Sequence, residues 1–218
     1  MTASVAEPLS VALKASTAQA HDLAENAEFI KKVVGGELDV SAYTALLEQT
    51  YQFYAALESM SRGLQNDPIF ALIYDETLMR LPQLRQDLRA LHGSDDWREN
   101  LTMLPATARY CVRLAEIGAL ADGPAALAHH YVRYLGDLSG GQVIAVMLKR
   151  HYGVDENALN FYRFLGIDKP KKYKDSYREK LDNLKLTDEQ RERVLDEAGR
   201  AFRHNMEVFG DLKELTGI

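Results

Sequence analysis

Between Arg133 and Gln142 the chain places a cation, a carboxylate, a hydroxyl and three glycines close together: Arg133, Gly136, Asp137, Ser139, Gly140 and Gly141. The stretch from Pro124 to about His151 reads as one helix, with no internal proline or cap signal. A glycine inside a helix costs about 1 kcal/mol relative to alanine, so three cost about 3 kcal/mol. That is a large part of the roughly 5–15 kcal/mol that holds a domain together. Gly136 and Gly140 are four apart and share one face, where missing side chains let something approach the backbone. Two readings follow: a seam where small residues let helices pack closely, or a backbone floor beneath a flat ligand. Arg133 and Asp137 form an i, i+4 ion pair beside the bare face, and Ser139 adds a hydroxyl. A packing seam has little use for these groups, whereas a planar ligand that needs proton delivery does.

His21 is the second candidate. Leu9, Leu13, Thr17 and His21 recur every four residues, so the imidazole shares a helix face with two leucines. A single histidine in that setting is by default a core residue, and no Cys, His or carboxylate spacing around it resembles a zinc site. Heme iron needs less from the protein. The porphyrin supplies four nitrogens, so one neutral imidazole completes a fifth position and leaves a sixth for O2. The rivals are His92, His129, His130, His151 and His204, of which the pair His129-His130 is the strongest. Adjacent positions on a helix point about 100° apart, so at most one of that pair can face an iron, and structural or surface roles are expected for both.

A basic run follows: Lys169, Lys171, Lys172, Lys174, Arg178 and Lys180, set against Asp175 and Glu179. It is either a solvated helix face with weak ion pairs or a carboxylate clasp. In the second reading Lys174 and Arg178, an i, i+4 pair, hold the two propionates of a heme, with Lys14 as a third cation.

Positioning these groups calls for helices. Helical punctuation recurs along the chain and strand-like alternation with hairpin turns is missing, so the expected fold is all-α. Pro8 opens a first helix through His21, whose extension ends at Gly35-Gly36. Asp39 or Ser41 caps a second, carrying Tyr43, Leu46, Leu47, Tyr54 and Leu57 to about Leu64. Pro82 and Gly93 bound another, Pro105 opens one to about Leu120, and Gly123-Pro124 starts the longest. Thr187 to Gln190 is a capping box for a final helix, whose expected buried stripe is Val194, Ala198, Ala201, Phe202, Met206 and Phe209.

The 218 residues carry no linker or repeat, so a single domain, 1–218, is expected. An apolar fraction of 46% and a charged fraction of 27% are those of an ordinary globular protein. With 26 Lys and Arg against 32 Asp and Glu, the net charge of -6 argues against general nucleic-acid binding. Cys111 is the only cysteine, which excludes an intrachain disulfide and a thiolate metal or iron–sulfur site and fits a reducing cytoplasm. No export signal or membrane-spanning run is evident.

The run from His129 through Tyr131, Arg133, Gly136, Asp137, Ser139 and Gly140 to Gln142 closely resembles the distal-helix signature of the heme oxygenases. Thr17-Ala18-Gln19-Ala20-His21 is similar to the family's proximal-histidine segment. Tyr51 to Leu57, Lys172 to Arg178, and Ala201 to Phe209 match further family stretches, in order and across nearly the whole length. The resemblance implies a fold in which heme is sandwiched between a proximal N-terminal helix and a glycine-kinked distal helix. It implies His21 as the iron ligand, Gly136 and Gly140 as the points where the distal helix crosses the heme, and Asp137 as the anchor of a distal water network. Tyr54, Arg133 and Asn205 resemble other members of that network. Lys14, Tyr131, Lys174 and Arg178 resemble residues around the propionates, Phe202 and Phe209 pocket walls, and Glu25 and Ser139 further heme contacts.

The expected activity is conversion of heme b, both substrate and cofactor, to biliverdin, CO and ferrous iron with O2, for iron acquisition. No flavin or nucleotide fingerprint is evident, so electrons are expected from a separate reductase or ferredoxin-like partner. The form implied is a soluble, bacterial-type, cytoplasmic monomer. A non-catalytic heme carrier and a helical interaction module without heme remain the alternatives at this stage.

Overall fold

The structure, a computed structural model, describes residues 7–218, and the described residues form eight α-helices joined by turns and short 3-10 segments, without strands. In chain order the helices are α1 Leu9–Glu25, α2 Glu28–Gly35, α3 Val40–Gly63, α4 Leu81–His92, α5 Pro105–Ala119, α6 Gly123–Tyr152, α7 Pro170–Asp182 and α8 Asp188–Thr216.

The punctuation read from the sequence acts where expected. Prolines sit in the first turn of α4, α5 and α6, and Gly36 and Gly93 close α2 and α4 in left-handed geometry. Thr187 and Gln190 form a complete capping box on α8. Asp39 is the residue before α3, but its side chain makes no capping hydrogen bond. One boundary differs. The first helix does not run on to Gly35; it stops at Glu25, and Asn26-Ala27 turns the chain into a separate α2. At this end the Asp22 carbonyl accepts both the Asn26 backbone N–H at 3.1 Å and its side-chain amide at 2.7 Å, and the Ala27 N–H turns to the Ala24 carbonyl at 3.3 Å, tightening the last turn.

α6 is the central rod. From Ala125 to His130 every residue is buried, because α3, α5 and α8 pack around it. A helix apolar on all sides is a core helix, and α6 is one only in this first half. Its second half carries the glycines and turns one face to a cavity. α8 packs against both α6 and α1, which spaces those two helices apart.

Behind the cavity, α6 is pinned by a buried ionic knot. Glu197 of α8 accepts from the Arg113 guanidinium at 2.8 and 2.9 Å and meets His129 Nε2 at 3.0 Å. Burial opposes ionisation of Glu197, but His129 and Arg113 together outweigh it and hold its carboxyl well below the usual range.

Candidate active site

A cavity of about 500 Å³ lies between α1 and the glycine half of α6, closed by α3 and α8. That size suits a small organic ligand or cofactor. Its lining brings together His21, Glu25 and Lys14 from α1, Tyr131, Arg133, Gly136, Asp137, Ser139 and Gly140 from α6, Arg178 from α7, and Phe202, Asn205 and Phe209 from α8.

The three glycines separate into two kinds. A Cβ built on Gly136 or on Gly140 meets no other atom within 4 Å, whereas one on Gly141 falls 2.9 Å from the Tyr162 ring. Gly141 is therefore the packing glycine, and Gly136 and Gly140 face open space. Of the two sequence readings of this pair, a seam between helices fails because no helix lies against them.

Beside the bare face stands a hydrogen-bonded chain. The Tyr54 hydroxyl donates to Asp137 Oδ2 in a short contact, and Asp137 Oδ1 lies 3.6 Å from Arg133 Nη2. Arg133 Nη1 donates to Asn205 Oδ1 at 2.7 Å. The guanidinium also covers the Phe53 ring, 4.9 Å from its centroid, a cation–π contact that fixes its plane. Burial pushes the Asp137 carboxyl up from its ordinary value, while Arg133 and the Tyr54 hydroxyl pull the other way. Burial together with the Asp137 charge raises Tyr54 well above the usual tyrosine value, so its hydroxyl stays a donor. Tyr54 is fully buried and does not line the cavity; it reaches the site only through Asp137.

Across the cavity, His21 is half exposed and its ring packs edge-on against Phe202 at 6.0 Å. Its Nε2 lies 3.6 Å from Glu25 and its Nδ1 4.0 Å from Asp22. Each ring nitrogen thus has an exposed carboxylate within 4.0 Å, and neither contact is close enough to be a hydrogen bond. The other histidines are elsewhere. His129 is held in the Glu197 knot, and His130 is buried with Nδ1 2.8 Å from the Tyr177 hydroxyl. Neither lines the cavity, so the rivalry of this pair with His21 is removed.

The basic segment is divided. Lys169, Lys171 and Lys172 are exposed on solvent, as the simpler reading expects. Arg178 lines the cavity edge and Lys14 faces it from α1. Lys174 does not line it; its ammonium donates to the Ser139 hydroxyl at 2.9 Å, and Ser139 donates to the Leu135 carbonyl at 2.7 Å.

Phe202 and Phe209 of the expected buried stripe of α8 are only half-buried; they line the cavity, where the resemblance puts pocket walls, as does Asn205 between them. Met206 is likewise only half-buried. Phe53, Phe161 and Tyr162 complete the wall and were not anticipated as site residues. Phe161 and Tyr162 sit in a 3-10 turn with no periodic pattern to read. Asp87 accepts from the Phe161 amide at 2.7 Å, and Gln142 donates to the Tyr162 carbonyl at 2.7 Å, so this turn is tied to α4 and α6.

The fold and cavity define a helical protein with a slot for a flat ligand, bare backbone and buried carboxylate on one side and imidazole on the other. A family model described as heme oxygenase matches residues 7–211. Heme oxygenase 1 of Pongo abelii is 37% identical over 97% of this chain and 74% of its own length, and heme oxygenase 1 of Synechocystis is 34% identical over 92% and 83%. The crystal structure of the Synechocystis enzyme in complex with heme superposes with a TM-score of 0.89 at 33% identity, covering 97% of this chain and 96% of that one. Heme oxygenase from Leptospira interrogans gives 0.87 at 30% identity over 93% and 98%. The chain belongs to the heme oxygenase family. Among the described residues no helix is long and apolar enough to cross a membrane.

Proposed function

We propose that this chain binds heme b in the slot between α1 and α6 and cleaves it to biliverdin, CO and ferrous iron, using O2 and electrons from a separate reductase or ferredoxin-like partner. The observation that carries this reading is the open face at Gly136 and Gly140 beside the Asp137 carboxylate. The donor set fits the group: an imidazole with nearby carboxylates, a largely apolar slot, and cations at its edge from Lys14 and Arg178. Heme, when bound, supplies an iron for O2 activation and its own ring as the substrate.

In this reading His21 would hold the heme iron through its imidazole, with the Glu25 carboxylate beside the ring. Gly136 and Gly140 let the α6 backbone come closer than any side chain would allow, so the floor steers by shape what binds above it. Asp137 holds and passes protons at its carboxylate through water; Tyr54 and Arg133 fix that carboxylate, and Asn205 fixes Arg133. Lys14, Tyr131, Lys174 and Arg178 seat the propionates, with Ser139 beside them, while Phe202 and Phe209 exclude water from the apolar edge. The protein acts as a monomer in the cytoplasm and serves iron acquisition.

Adding hemin and a reductant under air tests this directly. A Soret band that forms and then gives way to biliverdin absorption is expected. A stable Soret band would favour a heme carrier, and no Soret shift at all would remove heme from the reading.

A further inference from the structure

Two side-chain hydrogen bonds join α6 to α7 among the described residues, and they differ in kind. One is exposed, from Lys174 Nζ to Ser139 Oγ at 2.9 Å. The other is fully buried, between His130 Nδ1 and the Tyr177 hydroxyl at 2.8 Å, with the two rings parallel within 6°. The sequence neighbours of the buried pair are the point of interest. Tyr131 follows His130 and Arg178 follows Tyr177, and both neighbours line the slot, one from each helix. The distance between the two helices at the slot edge is therefore set one residue away from each slot residue.

We propose that the His130–Tyr177 pair is a lock that fixes how the substrate is seated in its own plane, and so which ring carbon is attacked; this rests on the heme reading above. The exposed tie cannot do this alone. A ligand carboxylate at the slot edge competes with Ser139 for the Lys174 ammonium, because an ion is a stronger partner than a hydroxyl. No such competitor reaches the buried pair. Once the slot is filled, His130–Tyr177 is the tie that remains between the clasp helix and the floor helix. Burial also pushes the His130 imidazole down to about 3, so the ring stays neutral and its hydrogen bond with the Tyr177 hydroxyl persists at any working pH. Neither residue touches the slot, which makes both positioning residues.

Tyr177→Phe removes only the hydroxyl and keeps the stacked ring. The test measures the ratio of biliverdin isomers after turnover and the pattern of heme-methyl proton resonances in the cyanide-bound ferric complex. Amide exchange across residues 170–182 in the heme-free protein adds a third readout. In Tyr177→Phe the ratio of minor to major seating is expected to rise about fivefold, the factor that one buried hydrogen bond commonly represents. His130→Ala should do the same, and His130→Gln, which keeps a neutral donor and acceptor, should restore much of the wild-type pattern. Faster exchange on α7 is expected in the Tyr177 and His130→Ala variants. Lys174→Ala should weaken hemin binding more than it changes seating. An unchanged isomer ratio and methyl pattern in Tyr177→Phe would overturn the lock. Wild-type protein that binds hemin but makes no bilin would instead sink the activity reading, and the methyl pattern would still decide the lock.

Discussion

The two walls of the slot are built on opposite plans. On α6 the side chains are already committed: Asp137 is 12% exposed and Arg133 13%, both held by partners from α3 and α8. On α1, His21 is 51% exposed and its neighbours are loosely placed surface carboxylates. In the proposed reading, the wall that would handle protons is preorganised by the fold, whereas the wall that would hold the metal is only loosely arranged. Groups that stabilise a developing charge gain most from being fixed beforehand. An axial ligand can be drawn in by the bond it makes.

That contrast can be broken by substitution, beginning with the α6 wall. Asp137→Ala should lower biliverdin formation by about 10²- to 10⁴-fold with hemin affinity little changed, measured by single-turnover absorbance. Undiminished yield would remove Asp137 from proton handling. Glu197→Gln, which cuts the knot behind α6, should cost about 3 kcal/mol in urea unfolding, since a charge network loses its central partner. The wild-type advantage has a defined pH dependence. Glu197 is held ionised below its ordinary value near 4.5, so its stabilisation is complete above that pH and fades as acid titrates the folded carboxyl.

On the α1 wall, His21→Ala should still admit hemin, because most of the binding is apolar burial, but about tenfold more weakly and without the imidazole signature in the ferrous–CO spectrum. An unchanged spectrum would place the ligand elsewhere. The glycines should respond with opposite signs. Gly140→Ala meets nothing and should raise Tm by about 2–4 °C while impairing turnover, whereas Gly141→Ala collides with Tyr162 and should lower Tm. Arg178→Ala is expected to have the smallest effect, weakening hemin about two- to fivefold in a titration, because the guanidinium is half exposed and already shared with Asp175.

The sequence disclosed most about the α6 wall, for a physical reason. Arg133, Gly136, Asp137 and Gly140 lie on one helix, where spacing alone fixes which groups share a face. Helix ends were equally readable at Pro82, Pro105, Gly36, Gly93 and Thr187, because these residues act on their own backbone. Partners brought from afar were not. Tyr54 lies 83 residues from Asp137 and Asn205 lies 72 from Arg133; family resemblance suggested both, but no spacing rule could. Phe161 and Tyr162 were missed because an irregular turn has no period, and the stop at Asn26 because a local tightening of the last turn leaves no proline or glycine to mark it. Periodicity read the α8 stripe as buried because it reports a face and cannot tell a core from a cavity; only the family resemblance marked Phe202 and Phe209 as pocket walls.

The empty space above Gly136 and Gly140 has a consequence for anyone who would engineer this protein. A library screened for heat resistance would find both positions early, since any methyl there strengthens the helix and meets no obstacle. Each such winner would have its working chamber partly walled up. Selection for durability alone would thus steer the chain toward a sturdier but idle bundle, and only a screen that also demands pigment would keep the two bare carbons.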